Sequence, residues 1–258
     1  MLGEELVRVH EGSRIVPRFS ERYPGLTSEQ GYAAARELHA HRLAQGWKPA
    51  GRKIGFTNRT LWQRYGVHEP MWGMVYDRTL VHASGNHATL SLEGLAQPRI
   101  EPEIAVKLAR APRSSDAAEL LACIEWFAHA VEIVQCHHPD WKVGIADCCA
   151  DNGLHGRLVV GSPVSTLDAA RLPSVEIELF KRERRVDRGV GENVLGSPLL
   201  SLGYLVDLLA KQPQAPALRA GEIITTGVLT DAHAVAPGET WHTEISGLPL
   251  DGLAIEFR

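Results

Sequence analysis

The chain has 258 residues, enough for one large domain with a substantial buried core. Hydrophobic residues make up 44% and charged residues 22%, the net charge is −4 and no basic stripe is present, which argues against a nucleic-acid-binding protein. No apolar run reaches the ~18 residues of a membrane helix, and the N-terminus lacks the long apolar segment of a secretory signal.

Helical periodicity dominates the beginning of the chain. Residues 27–45 repeat apolar side chains at helical spacing, and Thr27 followed by Gln30 has the capping-box pattern of a helix start. A short strand between glycines follows, and then a helical turn or two that ends at a glycine. The elements predicted for this part are helices over 2–10, 27–45 and 60–67 and a strand over 51–58.

Strand patterns separated by turns dominate the rest of the chain, with two helices among them over 116–127 and 198–212. The predicted strands cover 73–82, 87–92, 100–108, 129–135, 156–161, 174–181, 183–189, 222–228, 239–245 and 251–257. This order predicts an α+β fold that is mainly β. We expect a helical N-terminal region with short strands over 1–85 and a strand-rich catalytic body over 86–258.

The four cysteines include no C-x-x-C pair, and two of them are adjacent in the sequence. Adjacent cysteines are poor partners for each other, so the pattern predicts reduced thiols in a cytoplasmic protein and argues against a zinc site built on them. The residues are Cys123, Cys136, Cys148 and Cys149.

Acidic residues interrupt two runs that otherwise look like strands. Glu101 and Glu103 are two residues apart, ~6.6 Å along a strand, so their side chains point the same way. Glu132 lies in the apolar run HAVEIVQ, where an unpaired carboxylate would be costly. If the two strands are neighbours, each pair of carboxylates at ~4 Å repels by roughly 4 kcal/mol at an effective dielectric constant of ~20.

A divalent cation would relieve this repulsion, and carboxylate oxygens suit Mg²⁺ and Mn²⁺. The alternative is that Glu101 and Glu103 form ordinary surface pairs with Arg99, Lys107 or Arg110 and that Glu132 pairs with a core arginine. Spacing alone leaves both interpretations open.

Seven segments, in order, resemble the fumarylacetoacetate hydrolase superfamily, and within it the branch of 2-keto-4-pentenoate hydratases and 4-oxalocrotonate decarboxylases. They are GRKIGFTN, YGVHEPMWGMVYD, QPRIEPEIAVKL, VEIVQCHHPDWK, ADNGLHGRLVVG, VLGSPLLSLGYLVDLL and GEIITTGVLT. The resemblance implies rolled mixed β-sheets and a homo-oligomer of two or more chains.

The resemblance also implies the roles of particular residues. Glu101, Glu103 and Glu132 would bind Mg²⁺ or Mn²⁺, and Lys53, in the first segment, would lie near the substrate and donate or hold a proton. Two further residues match the branch's D-W-K and A-D-N elements and are the other catalytic candidates. These are Lys142, which could equally be a surface residue, and Asp151, which could equally be a turn former.

Two positions depart from the branch. Met71 stands where the branch has an aspartate, and Leu154 stands where it has a serine. We expect both to contact substrate, with Trp72 beside Met71 lining the pocket. Ser197, which opens a helix, and Thr226, near a polar strand end, are further substrate-binding candidates. Four histidines could replace the lost polar groups: His68, His137, His138 and His155.

These residues together predict a metal-dependent lyase of aromatic or small-acid catabolism. The substrate would be a 2-oxo or 2-hydroxydienoic acid such as 2-keto-4-pentenoate, and hydration would proceed through an enolate that the metal stabilises. Decarboxylation of a 4-oxalocrotonate-like acid and carbon–carbon bond hydrolysis are the alternatives. A catalytically silent relative that binds metal and ligand, or that partners an active paralogue, is the alternative of another class.

Overall fold

The computed structural model describes residues 1–59, 62 and 67–258, so most of the helix predicted over 60–67 lies outside the described residues. The α-helices are α1 (Leu2–Glu11), α2 (Phe19–Arg22), α3 (Ser28–Ala44), α4 (Ala117–Cys123), α5 (Ile145–Ala150) and α6 (Pro198–Ala210). The strands are β1 (Pro49–Gly55), β2 (Met71–Tyr76), β3 (Leu80–His82), β4 (His87–Leu90), β5 (Arg99–Leu108), β6 (Ile124–Val134), β7 (His155–Val160), β8 (Glu176–Lys181), β9 (Arg184–Val190), β10 (Ile223–Thr225), β11 (His233–Ala234), β12 (Thr240–Ser246) and β13 (Ala254–Phe257).

The helical N-terminus is held together locally and by one small core. The predicted capping box of α3 is present, because the Gln30 amide donates to the Thr27 hydroxyl at 3.2 Å and the Thr27 amide donates to the Gln30 side chain at 3.0 Å. Leu6 of α1 and Leu38 of α3 are buried in a cluster with Phe19. This packing places α1 and α3 side by side.

The larger sheet has the strand order β2-β1-β10-β5-β6-β7-β3, and β11 pairs with the N-terminal end of β5. Strands β5 and β6 form its long antiparallel centre, and β1 runs parallel to β10. The smaller sheet has the order β4-β13-β12-β8-β9. The predicted mainly β α+β fold is therefore confirmed.

The two sheets pack against each other through one apolar face of each. Ile100 and Ile133 of the larger sheet are buried in one cluster with Trp241 and Phe257 of the smaller sheet. Successive side chains of a strand point to opposite faces, so the residues between these apolar ones point away from the smaller sheet. Glu101 and Glu132 are among them.

Several predicted boundaries differ from the structure, and two of the differences change the type or the number of elements. The helix expected over 116–127 ends at Cys123, and β6 begins at Ile124. Pairing with β5 along almost the whole of β6 outweighs the weak helical pattern of Glu125 and its neighbours. The strand expected over 73–82 is two strands, separated by a turn in which the Tyr76 amide donates to the Thr79 hydroxyl.

The division of the chain into two regions at residue 85 stays a prediction. The larger sheet takes strands from both sides of that point. Among the helices of the described ranges, none is both long and apolar enough to cross a membrane.

Candidate metal centre and active site

The pairing of β5 with β6 brings the three predicted glutamates together. Glu101 lies directly opposite Glu132, and Glu103 lies opposite Ala130, one step along the same face. Each glutamate offers a carboxylate oxygen, and these oxygens all lie within 4.8 Å of one another. Glu103 and Glu132 are fully buried, and Glu101 is half-buried.

The hydrogen bonds of this cluster leave room for a cation. The Gly227 amide donates to Oε2 of Glu103 at 2.7 Å, but Oε1 of Glu103 is buried and has no hydrogen-bond partner among the described residues. A buried carboxylate oxygen without a partner is strongly unfavourable. Three convergent carboxylates are the donor set of a hard divalent ion, so the residues present fit Mg²⁺ or Mn²⁺.

The pKa values of the glutamates show how unfavourable three negative charges are at this site. Burial raises the pKa of Glu101 to about 7, although Lys53 acts in the opposite direction. Burial and the neighbouring Glu132 carboxylate raise the pKa of Glu103 well above its ordinary value. Burial also opposes ionisation of Glu132, but Lys53 and His155 outweigh it and lower the Glu132 pKa.

Lys53 and His155 hold Glu132 from two sides. The Lys53 ammonium lies 3.3 Å from Oε2 of Glu132, and Nδ1 of His155 lies 2.7 Å from Oε1. The other His155 nitrogen lies 2.8 Å from the Thr79 hydroxyl. Burial favours neutral Lys53, but the nearby glutamates outweigh it and raise the Lys53 pKa. Lys53 is therefore the buried cation of the cluster.

Ordinary surface pairs do not describe Glu103 and Glu132, because both are fully buried. Lys107 pairs with Glu125, and Arg110 pairs with Glu119. The partners of Glu132 are a lysine and a histidine instead of a core arginine. Lys53 reaches Glu132 from β1, across the two strands that lie between β1 and β6 in the sheet.

A cavity of about 240 Å³ opens beside the acidic cluster. Ligand pockets for drug-sized molecules span ~300–1,000 Å³, so this cavity suits a small acid. Its polar lining includes Lys53, Thr57, Glu101, Glu103 and Gly227, and its apolar lining includes Met71, Val134, Trp141, Val143 and Leu154. Trp141 and Leu154 have φ angles of +58° and +63°, a backbone conformation that non-glycine residues rarely adopt.

Some predicted substrate residues lie elsewhere. Trp72 stacks on Tyr32 at 5.3 Å and donates from Nε1 to Gln212, because neighbouring residues of β2 face opposite sides. Ser197 caps α6, and the Thr226 hydroxyl donates to the Ile104 carbonyl at 2.8 Å. The structure does not bring these three side chains to the cavity.

The other two catalytic candidates also lie away from the cavity. Lys142 is exposed and lies 3.5 Å from Asp140 at the rim of an adjoining cleft. Asp151 is fully buried, with its Oδ1 2.8 Å from both Nε2 of His10 and Nδ1 of His137. Asp151 thereby connects α1 to the segment after β6, and we infer that its role is to stabilise the fold.

The remaining histidine candidates, His68 and His138, lie away from the cavity. His138 is buried, with Nδ1 3.1 Å from the Val16 carbonyl and its ring edge against Phe19. His68 is exposed. Neither lines the cavity within the part of the chain that the structure describes.

Because His10 is buried, we expect the free energy of unfolding to fall in mild acid. His10 contacts Asp151, His137 and Arg42, and burial lowers its pKa to about 4 despite the attraction of Asp151. The unfolded chain, with a histidine pKa of ~6.5, binds this proton more readily, so stability is lost as pH falls from 6.5 towards 4. We expect His10 to lower the free energy of unfolding by roughly 2–3 kcal/mol as the pH falls from 6.5 to 4.5.

Urea unfolding at a series of pH values measures this loss. His10→Gln, which keeps a donor for Asp151, should flatten the pH dependence, and His82→Gln at an exposed position serves as the control. An unchanged slope in the His10 variant would show that the proton binds elsewhere.

Sequence reasoning missed several cavity residues, among them Thr57 and Arg99. Thr57 is 1% exposed, and its hydroxyl has no hydrogen-bond partner among the described residues. Arg99 stands over Trp141, 4.3 Å from the ring centroid, and borders both the cavity and the adjoining cleft. Arg99 could have been found, because it lies two residues before Glu101 on the same face of β5. Thr57 follows β1 and gave no such signal.

Comparisons with known proteins agree with this geometry. Residues 67–251 match the model of the fumarylacetoacetate (FAA) hydrolase C-terminal family. A 2-keto-4-pentenoate hydratase from Paraburkholderia xenovorans is 29% identical over 95% of this chain and 90% of its own length. A 4-oxalocrotonate decarboxylase from a Pseudomonas species is 32% identical over 86% of this chain and 85% of its own length.

Among the solved structures that are similar over the whole chain, one contains magnesium. It is a 4-oxalocrotonate decarboxylase from Pseudomonas putida, complexed with magnesium and adipate. It superposes with a TM-score of 0.90 at 26% identity, covering 100% of this chain and 96% of that chain.

Proposed function

Because this chain belongs to the fumarylacetoacetate hydrolase family, we propose that it is a metal-dependent lyase that adds water to a 2-hydroxydienoic acid such as 2-keto-4-pentenoate. The observation that carries the proposal is the cluster of Glu101, Glu103 and Glu132 beside a buried lysine in a small cavity. The resemblance seen in the sequence is thus confirmed at the level of the family.

The metal site is part of the proposal. Glu101, Glu103 and Glu132 would hold Mg²⁺ or Mn²⁺, and magnesium is the ion in the similar decarboxylase structure. When bound, the ion supplies a Lewis acid that polarises the 2-oxo group and stabilises negative charge on it.

The chain's own residues bind and orient the substrate and move the proton. The Gly227 amide fixes Glu103, and His155 fixes Glu132, so both carboxylates are oriented before a ligand enters. Lys53 carries its proton on Nζ at the cavity wall and is the group placed to deliver it to a substrate carbon. The unpartnered Thr57 hydroxyl is available to a substrate carboxylate oxygen.

Decarboxylation is the second candidate reaction. The 0.90 TM-score to the structure of a decarboxylase favours it. Both reactions need the same electron sink and the same proton donor, so the cluster alone supports either. The two reactions differ at the end of the cavity opposite the glutamates. Hydration needs a water molecule there, and decarboxylation needs the substrate's second carboxylate there.

A substrate panel tests the proposal. The purified protein with Mg²⁺ or Mn²⁺ is given 2-hydroxypenta-2,4-dienoate and, separately, 4-oxalocrotonate. Loss of the dienoate absorbance with formation of a 4-hydroxy-2-oxo acid supports hydration, and release of carbon dioxide supports decarboxylation.

The same panel also recognises a protein that binds metal and acid without catalysing a reaction. If neither substrate reacts but Mg²⁺ and pyruvate still raise the melting temperature, and no deuterium enters the pyruvate methyl group, the chain is a silent binder. The replacement of two polar residues of the branch by Met71 and Leu154 favours that outcome.

Assembly of the chain with itself belongs to the same proposal. The family resemblance implies a homo-oligomer, and a silent relative would instead partner an active paralogue. Leu200 and Tyr204 of α6 are 47% and 40% exposed, and Leu121 of the adjacent α4 is 38% exposed. Leu200 and Tyr204 are four residues apart and therefore lie on one face of α6, and an exposed apolar pair of this kind supports a subunit contact there.

A further inference from the structure

A second cavity, of about 500 Å³, lies on the face of β1 that is turned away from the acidic cluster. Arg52 lines it and directly precedes Lys53 in β1, so the two side chains point to opposite faces of the sheet. Met74 of β2 pairs with Arg52 and lines the same cavity. Within the described ranges, no residue lines both this cavity and the one beside the glutamates, so the two are separate sites.

The guanidinium of Arg52 has a donor that the protein does not use. Nη1 donates to Oε2 of Glu222 at 2.8 Å and to the Gly51 carbonyl at 3.3 Å, and Nη2 donates to the Pro216 carbonyl at 3.2 Å. Nε is buried and has no hydrogen-bond partner in the part of the chain that the structure describes. A buried donor without a partner is unfavourable, so an acceptor on a ligand would stabilise this side chain.

The charges that line this second cavity are positive in sum. Glu222 forms an ion pair with Arg52 and balances its charge. Arg219 also lines the cavity, is exposed and has no ion-pair partner among the residues described. Burial, together with the charges of Arg52 and a second arginine, lowers the pKa of His39, so His39 is neutral near pH 7. The remaining positive charge attracts an anion.

Most of the other lining residues are apolar. They are Leu43, Pro49, Ala50, Met74, Pro216 and Ala220. Such walls offer nothing to a hydrated inorganic ion, whereas the hydrocarbon part of an organic acid gains ~25 cal/mol for each Å² that it buries there. The cavity volume lies within the ~300–1,000 Å³ of small-molecule pockets. Charge and walls together therefore select an anion with an apolar body.

We propose that this second cavity binds a small organic carboxylate with an apolar body, such as an aromatic acid. The carboxylate accepts a hydrogen bond from Nε of Arg52 and pairs with Arg219, and the apolar body packs against Leu43 and Met74. Because the site lies apart from the three glutamates, binding requires no divalent metal ion.

Calorimetric titration of the full-length protein, freed of metal by chelation and then dialysed, tests the site. The three probes are benzoate, inorganic phosphate and benzyl alcohol. Benzoate should bind with a dissociation constant on the order of 1 mM or lower. Phosphate lacks the apolar body and benzyl alcohol lacks the charge, so each should bind roughly tenfold more weakly or not at all. Saturating Mg²⁺ should leave the benzoate affinity at this site unchanged.

Substitutions assign the binding to these residues. Arg219→Gln should weaken benzoate binding roughly fivefold, because it removes the unpaired charge. Arg52→Gln combined with Glu222→Gln should weaken it at least about tenfold, and removing both partners leaves no buried charge unpaired. Arg184→Gln removes one exposed positive charge outside the cavity and should leave binding unchanged. Thermal unfolding checks that each variant is folded, and Arg219→Gln decides alone if the double variant is not.

Three results overturn this second site. The first is the absence of benzoate binding to the metal-free protein, which includes binding that appears only with Mg²⁺ and therefore occurs at the glutamates. The second is an affinity for phosphate or benzyl alcohol that equals the affinity for benzoate. The third is a benzoate affinity that Arg219→Gln leaves unchanged.

Discussion

Replacing Glu103 by glutamine should abolish divalent metal binding and lower turnover by on the order of 10³-fold. Glu103 is fully buried, and its Oε1 has no hydrogen-bond partner among the described residues. Glutamine keeps an oxygen for the Gly227 amide but removes the negative charge. The metal loses one of three anionic ligands, and its binding is measured by titration calorimetry with Mn²⁺.

The same substitution should have the opposite effect on the metal-free fold. Burial and the adjacent Glu132 already disfavour ionised Glu103, so removing the charge should raise the free energy of unfolding by about 1 kcal/mol. A variant that loses activity while gaining stability without metal has lost a ligand and kept its fold. Urea unfolding in the presence of a chelator measures this gain.

Glu125→Gln is the matched control, because Glu125 lies on the same β6 strand as Glu132 and pairs with Lys107 at 3.0 Å near the surface. It should change neither metal binding nor turnover. Full turnover of the Glu103 variant would show that the metal centre has been assigned to the wrong residues.

Replacing Lys53 by glutamine should lower turnover by about 10²–10⁴-fold, because it removes the proton donor at the cavity wall. It should also lower the free energy of unfolding of the metal-free protein by roughly 3–5 kcal/mol, because Glu132 then becomes a buried charge without its cation. Magnesium should bind more tightly to this variant, since the ion no longer competes with the lysine charge. Initial rates, urea unfolding and calorimetry check the three parts.

Lys53→Arg separates the two roles of the lysine. Arginine keeps the positive charge beside Glu132 but holds its protons too firmly to donate one near neutral pH. Its stability should lie near that of the unmodified protein, whereas its turnover should stay as low as that of the glutamine variant. An arginine variant with restored turnover would show that the charge of Lys53, and no proton from it, is what the reaction needs.

The sequence by itself determined the features that depend on neighbouring residues. The two-residue period of a strand put Glu101 and Glu103 on one face, and the capping box placed the start of α3. Seven ordered segments indicated the family, which the match over residues 67–251 confirms. The same period, applied to Met71 and Trp72, would also have separated them, since adjacent strand residues face opposite sides.

Only the tertiary structure decided which distant residues meet. The register of β5 against β6 sets Glu101 opposite Glu132, and the strand order β1-β10-β5-β6 brings Lys53 to the same carboxylate across two intervening strands. Asp151 matched a family segment, yet it lies in the core between His10 and His137. Register and strand order depend on how all the strands pack together, and this is a property that no local spacing contains.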